Sequence, residues 1–173
     1  MKRLNKIALS VVVVVAVGIG FSGCDIVKEK IFNETVDAKI ATARSDIASA
    51  QKAIIAKVFA DNIDVRQPKA PNGESWGEWI LEVAMLDSTR WAVSNLGVYP
   101  IDTISTKTAC YDENKTPLIW INPRTGNMHF NPSKLAVDSD KSKFCKELRD
   151  RYKDAKTNGD KVVPLVSSSD SSW

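Results

Sequence analysis

The chain has 173 residues, carries 24 Lys and Arg against 21 Asp and Glu, and is 43% hydrophobic, which suits one domain around one core. Its basic excess is local: Lys2, Arg3 and Lys6 precede residue 24, and the basic residues that follow balance the acidic ones, all of which lie after it. A body without net charge has no electrostatic footprint for a phosphate backbone, so a nucleic-acid partner is excluded.

The first 23 residues read as a targeting segment. Behind the basic start, Ile7 to Phe21 form an apolar run broken only by Ser10, Gly18 and Gly20, which is the layout of a secretory signal. The run is short of the about 20 apolar residues that cross a bilayer core. Phe21-Ser22-Gly23-Cys24 resembles the lipobox of bacterial lipoproteins, with Phe where Leu is usual. The resemblance implies cleavage before Cys24 and acylation of its thiol and new amino group by palmitate-type chains. The product would be lipid-anchored at the cell membrane, facing the periplasm or the cell exterior. Two or three such chains hold firmly, because each buried methylene contributes about 0.8 kcal/mol. Asp25 directly after the cysteine matches the pattern of inner-membrane retention in enteric bacteria. An uncleaved signal anchor with an ordinary apolar Cys24 is the alternative.

Next comes a helical pattern. Phe32, Val36, Ile40, Ala43, Ile47, Ala50, Ile54 and Val58 recur every three or four residues, with polar residues between them and neither Gly nor Pro from Asp25 to Ile63. This predicts a helix over 26–62, about 55 Å long at 1.5 Å per residue. A domain of this size cannot cover such a helix along its whole extent, so part of it should project or meet a partner. Val65 to Gly77 reads as a loop through Pro68, Pro71, Asn72 and Gly73. "ESWGEWILEVAML" fits a short helix, although its alternation also fits a strand. "RWAVSNLGVYPI" reads as a strand and turn.

Leu118 to Ile121 and Met128 to Phe130 read as strands of a hairpin around Asn122-Pro123-Arg124-Thr125-Gly126-Asn127. Leu118 and Trp120 on one strand, with Met128 and Phe130 on the other, are expected to meet the long helix. His129 should point away. Phe144, Leu148, Tyr152 and Ala155 then repeat as one face of a helix that stops near Asn158-Gly159. With Cys24 acylated, Cys110 and Cys145 form an even pair, and outside the cytoplasm such a pair predicts a disulfide. The chain therefore divides into a signal peptide (1–23), a domain over 24–160 with its long helix and a globular head (63–158), and a disordered tail (161–173).

"IFNETVDAKIATARSDIASAQKAI", Ile31 to Ile54, resembles the middle of the N-terminal helix of type IV pilins and of the pseudopilins of type II secretion. The likeness extends over 31–146, through the loop, the strands, the Asn-Pro-x-Thr-Gly hairpin and the late cysteines. It implies an α+β fold with the long amphipathic helix packed on an antiparallel β-sheet and followed by a C-terminal helix. It also implies partners among pilin or secretion-system proteins, for which Val36, Ile40 and Ile47 are candidate contact residues. The chain departs from a prepilin at its start. Counting back from Phe32, Leu9 or Ser10 stands where a prepilin has Glu, with no Gly before it, and no acidic residue precedes Asp25. The apolar half of the pilin helix is replaced by a lipoprotein signal, which argues against packing in a filament core and for an accessory role.

No catalytic motif is present: there is one His, and no Gly-x-Ser-x-Gly, His-Glu-x-x-His, phosphate loop or Cys-x-x-Cys. No catalytic residue, metal ligand or cofactor is therefore assigned, and the protein is read as no enzyme. His129 is expected to be a polar surface residue. Asp138 and Asp140 sit among lysines and suit helix capping better than a calcium loop. The competing function is an envelope lipoprotein that binds a small ligand or peptide through Trp76, Trp79, Trp91 and Trp120, although core packing is the ordinary use of aromatic residues at these spacings.

Overall fold

The computed structural model describes residues 23–104, 109–111, 115–135, 142–153 and 159–166, with the backbone alone at 23–32 and 153. Helix α1 runs unbroken from Gly23 to Ala60. Val36, Ile40, Ala43, Ile47, Ala50, Ile54 and Val58 are all buried along it, so the apolar stripe of the sequence is the helix face that enters the core. The helix ends where Asn62 takes a left-handed conformation (φ 49°) and the N–H of Ile63 returns to the carbonyl of Val58 at 2.9 Å, a pairing that satisfies carbonyls the last turn would leave open.

Helix α2, Trp76–Val83, starts from a capping box. The Ser75 hydroxyl accepts the N–H of Glu78 at 3.2 Å, and the Glu78 carboxylate accepts the N–H of Ser75 at 3.0 Å, so two otherwise unpaired donors are satisfied. Trp76 and Trp79 pack edge to face with centroids 5.4 Å apart. Gly77 lets this helix lie against the chain reversal between the first two strands, because a Cβ there would overlap the carbonyl oxygens of Ser94 and Gly97.

Five strands form one antiparallel sheet in sequence order: β1 (Trp91–Val93), β2 (Gly97–Pro100), β3 (Ile119–Asn122), β4 (Asn127–Phe130) and β5 (Lys161–Pro164). The β3–β4 hairpin is held by the N–H of Gly126 on the Asn122 carbonyl at 2.9 Å, with Gly126 at φ 68°. A 3-10 turn, Pro132–Lys134, and helix α3, Lys143–Lys153, come between β4 and β5. The molecule is thus α+β, with an N-terminal helix, a five-stranded antiparallel sheet and a C-terminal helix.

Two sequence expectations are corrected here. In β3 it is Ile119 and Ile121 that are buried and share the core-facing side with Met128 and Phe130, because Ile119 pairs with Phe130 and Ile121 with Met128. Trp120 lies on the opposite face, paired with His129. Leu118 is buried too, but it precedes the strand. Second, residues 161–164, expected to belong to a disordered tail, form β5 and pair with Asn127 to Phe130. Leu165 follows them into the core and donates its N–H to the Gly126 carbonyl at 3.0 Å. Residues 167–173 lie outside the described residues, as do residues 1–22, where the signal is expected.

Candidate functional site

Cys24 lies in the first turn of α1, which starts at Gly23 rather than at 26. The first head contacts described on this helix are Asn33, whose amide oxygen accepts a hydrogen bond from Lys143 Nζ, and Asp37, ion-paired with Arg151. Between Cys24 and Asn33 the backbone is helical throughout, about 14 Å at 1.5 Å per residue. No helix among the described residues is long and apolar enough to cross a membrane. The candidate acylation site, Cys24, thus stands on the same helix as these contacts.

Val36, Ile40 and Ile47, the candidate partner contacts, are buried. Their side chains line the chain's own core, and a partner would meet the other face of the helix, where Ala41, Ser45, Ala48 and Lys52 are exposed. Arg44 lies over the ring of Tyr152 at 5.7 Å, which fixes α3 beside α1.

Cys110 and Cys145 are joined by a disulfide, with Cα atoms 5.3 Å apart. The bond ties the loop after β2 to the first turn of α3. Beside it sits a buried polar pair that sequence reasoning missed. Asp102 is 0% exposed, and its carboxylate accepts the Ser142 hydroxyl at 2.6 Å and the N–H of Ile104 at 2.8 Å. The same Ser142 oxygen accepts the N–H of Cys145 at 3.0 Å. Ser142 therefore caps α3 and links it to the loop, and a buried carboxylate with several donors is a stable arrangement. The sequence signal was slight: a serine three residues before the cysteine, and an aspartate between Ile101 and Thr103.

The tryptophans do not form one site. Trp76, Trp79 and Trp91 are buried. The indole N–H of Trp76 reaches the Gln67 carbonyl at 2.9 Å, and that of Trp91 reaches the Asp46 carboxylate on α1 at 3.0 Å, which is how large amphipathic rings are accommodated in a core. Trp120 stands apart on the outer sheet face, stacked on His129 at 4.2 Å. Tyr99 on the same face meets Tyr111 edge to face at 5.2 Å. Burial alone holds the His129 imidazole below the ordinary histidine value of 6.5, because desolvation disfavours its cation. A surface hollow of about 540 Å³ lies along the loop after α1, lined by residues such as Asp61, Asp64, Gln67 and Lys69, and a cleft of about 20 Å³ is lined by Trp91 with Ala43, Asp46 and Phe144.

Among the described residues no group of three or more His, Cys, Asp or Glu is placed to hold a metal ion. Asp138 and Asp140 lie outside them. His129 is stacked on Trp120 on the outer sheet face. Comparison with known proteins yields no matching family model, no matching curated protein and no matching solved structure.

Proposed function

We propose that this is a lipid-anchored, pilin-like structural or assembly protein of the bacterial cell envelope, accessory to a type IV pilus or type II secretion type system and without catalytic activity of its own. The observation that supports this reading most is α1. It is a continuous helix that carries the lipobox-like Cys24 in its first described turn and lays the apolar stripe Val36 to Val58 into a head built on an antiparallel sheet. In a filament subunit an apolar extension of that helix would make the core contacts. Here acyl chains on Cys24 supply the attachment, and the short neck holds the head close to the membrane surface. A long N-terminal helix, an antiparallel sheet, a helix near the C-terminus and the Cys110–Cys145 disulfide support the reading. The partner surface is the outer face of α1, with Ala41, Ser45, Ala48 and Lys52 exposed.

A photo-crosslinking residue at Ala48 in the native host tests this reading. Crosslinks to a pilin or secretion-system subunit, together with loss of piliation or secretion on deletion, are expected. A deletion strain with normal piliation and secretion would remove the functional assignment.

A further inference from the structure

We propose that Met85 is a methionine oxidation site exposed on the folded head, at which a hydroperoxide-class oxidant converts the thioether to the sulfoxide without unfolding the protein. Two methionines lie in the described chain, and their environments are opposite. Met85 is 92% exposed, whereas Met128 is 1% exposed in the core-facing side of β4. Oxidant must collide with the sulfur, so burial separates the two sites kinetically.

The backbone at Met85 adds to the contrast. It occupies the left-handed position just past α2, at φ 51°, where the N–H of Leu86 returns to the Leu81 carbonyl at 2.9 Å. Glycine is the residue best suited to that position. A methionine there neither relaxes the backbone nor fills the core. Its side chain lines an open groove together with Glu78, Leu81, Glu82 and Leu86. Oxidation would turn the apolar tip of this groove into a strong dipole and leave the buried cluster beneath it untouched.

The reaction balances simply. The sulfur lone pair attacks one peroxide oxygen, the S–O bond forms as the O–O bond breaks, the sulfur gives up two electrons, and the other oxygen leaves as water or an alcohol after taking the proton. Methionine sulfoxide reductase reverses the change.

The test is hydrogen peroxide treatment of the full-length folded chain, followed by peptide mapping of the added oxygen at each methionine. Met85 should be oxidised at least about tenfold faster than Met128, with the thermal midpoint unchanged after Met85 has reacted and the modification removed by the reductase. In Met85→Leu the rate at Met128 should be unaltered. Equal rates at the two sites, or unfolding that accompanies oxidation of Met85, would overturn the proposal.

Discussion

The Ser142 hydroxyl serves two elements at once, donating to buried Asp102 and accepting from the N–H of Cys145. In Ser142→Ala the carboxylate loses a donor and α3 loses its cap, and the cost expected in urea unfolding is about 1–3 kcal/mol. Unchanged stability would show that the pair contributes nothing. His129 makes a second prediction at this scale. Its depressed value means that the unfolded chain binds more protons than the folded one between the folded value and 6.5. Stability should therefore rise with pH through that window and level off above it. The imidazole resonances should titrate below 6.5, and His129→Gln should flatten the dependence of the urea midpoint on pH between 5 and 7.5. A titration at or above 6.5 would contradict the burial. Neither Asp102 nor the face of Trp120 was legible in the sequence. Leu118-Ile119-Trp120-Ile121 is apolar throughout, so period-two alternation gives no side to choose. The tertiary pairing of Trp120 with His129 decides it.

At the scale of elements, α1 was the clearest part of the sequence, because seven positions at helical spacing are buried as the pattern requires. The β3–β4 hairpin was equally readable from Pro123 and Gly126, which set the turn chemically. β5 was not. Its four residues follow Asn158-Gly159 and precede a serine-rich end, so composition suggested a tail, and only pairing with β4 makes Lys161 to Pro164 a strand. Short edge strands carry little signal of their own. The disulfide belongs to this scale too. Cys110 and Cys145 are 35 residues apart, and closing a loop of that length restricts the unfolded chain by about 3–4 kcal/mol in the chain-entropy model. Replacing both cysteines by serine should lower the unfolding free energy by about that amount while the far-ultraviolet circular dichroism of the folded state is kept. A double variant as stable as the parent would mean that the bridge is dispensable.

For the whole molecule, the arrangement of helix, sheet and disulfide matters through where it leaves the N-terminal end of α1. The backbone from Cys24 to Asn33 is helical, so the acyl chains proposed on Cys24 would be coupled to the head through a stiff element rather than a polar linker. A head held as proposed would present a fixed face of α1 to whatever assembles beside it in the membrane, which would suit an assembly component better than a freely tethered binding module. Three of the four tryptophans weighed for a ligand site are used in the core. The sequence could reveal the stripe and the cysteine pair, since each is a local pattern. It could not reveal which side of the helix remains open, because that depends on the packing of the sheet. The most direct test of the account is the intact mass of the chain extracted from the membrane fraction of its host. The mass predicted is that of a polypeptide starting at Cys24 with two or three acyl chains attached. A full-length, unmodified chain would contradict it.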